Sequence, residues 1–124
     1  MADMDVALKE MMLLDGALGA AVVDYGSGMP LGVMGGSRDL DLEVAAAGNT
    51  EVVRAKLRTI EQLGLDEGIE DMLITLGGQY HLIRPIRGGR RAKHLFLYLA
   101  LDRQRGNLAL ARHRLNDIEA ELEI

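Results

Sequence analysis

The chain has 124 residues, enough for one domain with a core of its own. A net charge of −5 and the scarcity of aromatic residues argue against a general nucleic-acid binder, and the lack of cysteine excludes disulfides, thiol catalysis and zinc–cysteine sites. No apolar run approaches the ~20 residues that span a bilayer. Acidic residues in MADMDVALKEMM stand where a signal peptide would carry lysines, so a cytoplasmic protein without direct membrane insertion is expected.

Met4, Leu8, Met11 and Met12, with Val6 and Leu14 beside them, approximate a helical stripe. A short helix over residues 3–14 follows, capped by Asp3 or Asp5 and stopped by Gly16. Ala17 to Asp24 reads as a mostly apolar strand, and Met29 to Met34 as a second, with Pro30 near its start. Between them Tyr25-Gly26-Ser27-Gly28 is dense in turn formers.

The wider stretch VDYGSGMPLGVMGGSRDLD, residues 23–41, also invites reading as a phosphate loop. A Walker loop needs a Gly-Lys pair, and the chain has none. A dinucleotide fingerprint needs G-x-G-x-x-G between a strand and a helix, whereas Gly26 and Gly28 lie between two strands and the next glycine, Gly32, comes one place late. Gly35-Gly36 precedes a helix, where an anion could sit. Asp39 and Asp41 flank Arg38 there and would repel a phosphate. The stretch is therefore a β-hairpin and its exit.

From Leu40 the period changes. Leu42, Ala45, Ala46, Asn49, Val52, Val53, Lys56, Leu57, Ile60 and Leu63 recur at three and four, which predicts a long helix capped by Asp39 or Asp41 and ended by Gly64. Ala45-Ala46-Ala47-Gly48 has little bulk and would let another backbone approach. The stripe is wider than one side of a five-stranded sheet requires, so part of it is either an interface or additional core.

Ile69 to Leu76 and Gln79 to Ile86 are two strands joined by Gly77-Gly78, a hairpin signal. Arg87 to Lys93 is a polar loop. HLFLYLAL, His94 to Leu101, is nearly all apolar and so a central strand covered on both faces. Gly106 or Asn107 opens a last helix with Leu108, Ala111, Leu115, Ile118 and Leu122 on one seam. The order αββαβββα makes an α+β layered sandwich around a five-stranded antiparallel sheet. The long second helix is expected on one face, and the first and last helices on the other.

Catalytic chemistry is thinly represented. His81, His94 and His113 lack any H-x-x-x-H spacing, although His81 and His94 fall on adjacent candidate strands. The serines are Ser27 and Ser37, with no nucleophile elbow around either. No catalytic, cofactor-binding or metal site is expected. Arg84, Arg87, Arg90, Arg91, Lys93 and His94 form a basic cluster in an acidic protein. It is either a solvated hairpin loop or a patch for an acidic partner or an anionic lipid head. Glu119, Glu121 and Glu123 have the opposite sign and are expected on an exposed helix face.

Several short motifs occur in a telling order. They are Leu14-x-Gly16-Ala17-x-Gly19-Ala20, a strand ending Val23-Asp24-x-Gly26, Pro30-Leu31-Gly32-Val33, an alanine-rich helix, and Arg105-Gly106-Asn107-Leu108-Ala109-Leu110-Ala111-Arg112 before the last helix. In this the chain resembles the Roadblock/LC7 domain family (dynein light chain, MglB-like) from Met11 to Leu122. It is most similar to bacterial stand-alone members found in actinobacterial operons with a sensor-kinase-like protein and a small Ras-like GTPase. The resemblance implies a single domain over residues 1–124 and a homodimer with antiparallel second helices. It implies a non-catalytic adaptor or regulator of a small GTPase, with the sensor-kinase-like protein as a further partner. The dimer face would hold Leu42, Ala45, Ala46, Asn49, Val52, Val53 and Lys56. The third strand, with Ile69 and Leu73, would be the pairing edge, and Met29 to Met34 the alternative. Arg84, Arg87, Arg90, Arg91 and Lys93 would be the partner-binding loop. Two other readings compete: a small-molecule sensor of PAS-like or profilin-like layout, and an enzyme using His81 or His94.

Overall fold

The apolar periodicities become α1 (Met4–Met12), β1 (Ala17–Asp24), β2 (Met29–Gly35), α2 (Leu42–Gln62), β3 (Met72–Thr75), β4 (Gln79–Pro85), β5 (Leu95–Asp102) and α3 (Leu108–Glu121). The computed structural model describes residues 3–87 and 94–122. The strands form one antiparallel sheet in the order β2-β1-β5-β4-β3. The order expected from the sequence is thus the order observed, in an α+β layout.

Strand alternation divides the core in two. Leu97, Leu99 and Leu101 of β5 point with Ala20, Val22 and Leu82 toward α1 and α3. Phe96, Tyr98 and Ala100 point with Ala21, Val23 and Ile83 toward α2. β5 is therefore buried from Leu95 to Leu101 and sits at the centre of the sheet, as its unbroken apolar run predicts. At ~1.5–3 kcal/mol for each large side chain buried, this strand is the main apolar contributor to the fold.

The helix starts settle the choice of caps. Asp3 Oδ1 accepts from the Val6 N–H, Asp41 Oδ1 from the Glu43 and Val44 N–H groups, and Asn107 Oδ1 from the Leu110 N–H. Each satisfies donors that a helix start leaves open, and is worth about 1 kcal/mol.

The glycine-rich turn is closed on itself. The Gly26 N–H donates to Asp24 Oδ1, the Gly28 N–H to the Asp24 carbonyl and the Met29 N–H to Ser27 Oγ. What the turn offers outward is carbonyls, and Arg54 of α2 takes those of Tyr25 and Gly26 at 2.8 and 2.5 Å. A phosphate cradle needs free N–H groups, so this loop turns the chain and docks α2.

Gly16 has a reason to be glycine. Its φ is +81°, and a Cβ there would lie 2.7 Å from the Gly106 nitrogen. The corner between α1 and β1 thus meets the corner between β5 and α3 backbone to backbone, which ties both ends of the motif together.

β3 is shorter than the Ile69–Leu76 strand read from the sequence. Ile86 N–H donates to β5, so Pro85, one residue earlier, turns its nitrogen toward β3. Proline has no N–H to give, and the β3–β4 ladder stops at Met72, opposite Ile83.

Candidate functional site

α2 does not sit over the middle of its sheet face. It packs on β1 and β2, burying Leu42, Ala46, Thr50 and Val53. The same face of β4 and β3 is left open, with Met72, Ile74 and His81 only half-buried. A groove runs between α2 and this open half. One part, of about 510 Å³, is lined by Val52, Ala55, Thr59, Ile69 and Met72, with Lys56 and Asp71 as its charged residues. It continues past Val52 into a part of about 350 Å³ lined by Val44, Ala45, Gly48, Asn49, His81 and Tyr98.

The helix edge facing the groove carries an uncharged stripe. Val44, Gly48, Val52, Ala55 and Thr59 follow one another at four, four, three and four residues, which places them on one side of α2. Val44 is 68 % exposed and Val52 40 %, although both are apolar. Leu63 and Leu65 extend the exposed apolar surface beyond the helix end.

A polar chain crosses the groove floor. Asn49 of α2 lines this part of the groove together with Tyr98 of β5. The Tyr98 hydroxyl lies 3.2 Å from His81 Nδ1, and His81 Nε2 lies 2.7 Å from Gln79 Oε1. The two rings meet edge to face with centroids 5.5 Å apart. Burial pushes the Tyr98 hydroxyl up to about 12 and pulls the His81 imidazole below its ordinary value. Both groups are held neutral.

The expected interface residues therefore divide. Asn49, Ala45, Val52, Lys56 and Ile69 lie along the groove. Leu42, Ala46 and Val53 do not, because the hydrophobic core takes them, at 6, 1 and 0 % exposure. Leu73 is also elsewhere: it pairs with Leu82 and faces α1 and α3. The groove also takes in Gly48, which the sequence marked for its low bulk, and Val44, Ala55 and Thr59, which it did not single out. Their signal was a second period along α2, free of charge and offset from the core stripe.

The basic cluster divides too. Arg84 is buried, with Nε 2.6 Å from Glu119 Oε1 and an amino group 2.7 Å from Asn116 Oδ1. Glu119 Oε2 accepts from the Arg87 N–H. Arg84 thus clamps α3 to the sheet, and Glu119 is part of the clamp and not of an exposed acidic face. The Arg87 side chain is exposed, and Arg90, Arg91 and Lys93 lie outside the described residues.

His81 and His94 do not meet. His81 pairs with Ala100 in the sheet register, six residues along β5 from His94, or about 20 Å. His94 packs edge-on against Tyr25 instead. Among the described residues no three His, Asp or Glu side chains stand together as metal ligands. Among the same residues, no helix is long and apolar enough to cross a membrane.

Solved structures share this arrangement of strands and helices. MglB of Myxococcus xanthus superposes with a TM-score of 0.79 at 16 % identity, over 93 % of this chain and 80 % of that one. A Roadblock/LC7 domain from Streptomyces avermitilis superposes with a TM-score of 0.79 at 12 % identity, over 96 % and 93 %. The chain has the Roadblock/LC7 fold. A gliding protein MglB from Thermus thermophilus shares it at a TM-score of 0.68 and 18 % identity, over 93 % and 87 %. No protein-family model matches the sequence, and no curated protein does.

Arg84→Ala would leave Glu119 buried without its cation. Urea denaturation should show a loss of about 3 kcal/mol, whereas Arg87→Ala should stay within about 0.5 kcal/mol of the parent. Equal, small losses at both positions would return Arg84 to the exposed loop.

Proposed function

We propose that this single domain is a homodimeric, non-catalytic adaptor for a small Ras-like GTPase, with a sensor-kinase-like protein as a second partner in the same bacterial signalling system. The observation that carries the reading is the groove: an uncharged edge of α2 beside an uncovered half of the sheet. A second copy, related by a two-fold axis, would lay its α2 edge into this groove and receive ours in return. Val44 and Val52 then leave water, as the exposed apolar stripe requires. The likeness to Roadblock/LC7 and MglB folds supports the regulatory role, together with the absence from the sequence of any arranged acid, base and nucleophile. The arginine-bearing β4–β5 loop remains the proposed contact for the partner.

Pairing through this edge separates two adjacent valines. Val52→Glu places a charge in the groove, and the protein should become monomeric in sedimentation while its urea midpoint barely moves. Val53→Glu buries a charge in the protomer's own core and should unfold it. A Val52→Glu protein that remains dimeric would place the interface elsewhere.

The GTPase itself is tested by affinity capture from host lysate in GDP and in a non-hydrolysable GTP analogue. One small GTPase should be enriched in one nucleotide state. Capture of none in either state would favour the sensor reading. The groove's volume falls within the ~300–1,000 Å³ of small-molecule sites and could serve that reading.

A further inference from the structure

The polar chain on the groove floor has a direction. Gln79 Oε1 only accepts, so His81 Nε2 carries the proton. His81 Nδ1 is then an acceptor, and the Tyr98 hydroxyl donates to it. The run from Tyr98 to His81 to Gln79 is thus ordered around a neutral imidazole.

A proton on Nδ1 would reverse that order. His81 would donate to the Tyr98 oxygen, and the tyrosine hydrogen would have to leave the imidazole for another acceptor. The hydroxyl cannot escape by ionising, because burial holds it protonated. The charged groups around His81 give little compensation. Tyr98 is the titratable group facing it from β5, and its pairing partner on β3, Ile74, carries no charge. Asp39 and Asp41 line the far rim before α2, where the Asp41 carboxylate is already engaged by the Glu43 and Val44 N–H groups. Lys56 and Asp71 line the continuation of the groove. On balance burial dominates, and His81 resists protonation.

Half-burial leaves this imidazole in contact with water in the single protomer. A second copy seated in the groove would remove that water. We propose that His81 makes the pairing of two copies pH-dependent: neutral His81 permits it, and protonated His81 opposes it. This rests on the reading of the groove as the seat of a second copy. The sign follows from linkage. The paired state refuses a proton that the separate protomers accept, so affinity is full above the protomer's own pKa and falls as pH drops through it. The two-fold axis supplies two such histidines, so the loss steepens toward two protons per dimer.

The test is the dimer dissociation constant by sedimentation equilibrium at pH 7.5 and pH 5.0, for the parent chain, for His81→Gln and for His113→Gln. His113 is an exposed histidine beside Asp117 on α3. Gln at position 81 can still accept from Tyr98 but does not titrate. The parent and His113→Gln should weaken by roughly tenfold between the two pH values, and His81→Gln should change little. A parent dimer of unchanged affinity, or a His81→Gln protein that weakens as much as the parent, overturns the proposal while leaving the dimer in place. A parent that is monomeric at pH 7.5 at every concentration overturns the dimer reading, and this proposal with it.

Discussion

One α-helix is about 10 Å across, and five strands at their usual spacing make a sheet about 20 Å wide. A sheet whose central strand is apolar on both faces needs cover on both. Here α1 and α3 share one face between them, and the other has α2 alone. That mismatch in width governs the rest of the structure. α2 is drawn toward β1 and β2 by Arg54, which grips the carbonyls of the hairpin turn, and by Val53 and Ala46, which fill the space over Ala21 and Val23. Whatever it covers there it must leave bare over β4 and β3.

Small residues make the arrangement workable. Gly16 against Gly106 brings two corners together with no side chain between them. Gly48, midway along the exposed edge of α2, has nothing within 4 Å of where a Cβ would stand, so its lack of a side chain serves no contact inside the protomer. The charged groups are arranged with equal economy. Arg84 and Glu119 pair under the end of α3, Arg112 holds Asp71 just before β3 through two hydrogen bonds, and among the described residues no buried side-chain polar atom lacks a partner. Charge therefore locks the α3 side of the sheet. The groove side sets Val, Ala, Thr and a run of neutral polar groups among Lys56, Asp71, Asp39 and Asp41, which also line it.

Most of the fold was legible from the chain, because its signals are local. The short, unbroken apolar run of Leu95 to Leu101 reads as a strand buried on both faces, and His94 before it stays exposed in the turn. Asp41 and Asn107 are strong caps, and Gly77-Gly78 between apolar runs is a hairpin. The shortness of β3 was not legible, because it depends on which way the Pro85 nitrogen faces, and that follows from pairing with β5. The candidate site was legible only in part. Helical period places Ala46, Asn49, Val52 and Val53 on neighbouring faces, but a fraction of a turn of rotation decides which are core and which are groove, and tertiary packing sets that rotation. Arg84 looked like its neighbours in a basic run, since strand alternation alone does not reveal that α3 brings Glu119 and Asn116 to meet it. The run from Tyr98 through His81 to Gln79 joins β5 to β4, and no spacing announces it.

The chain's lack of cysteine offers a direct view of the central claim. Gly48→Cys places one nitroxide label per protomer on the uncharged edge of α2, at a position open enough to accept it. If two copies lay their α2 edges together, dipolar spectroscopy should find the two labels closer than the length of the helix itself, about 30 Å. A label on the exposed face of α3, at Ala109, should lie on the opposite side of the sheet and give a longer distance. No dipolar coupling from position 48 in a dimeric sample would contradict the account, because it would mean that the open half of the sheet is covered by something other than a second α2.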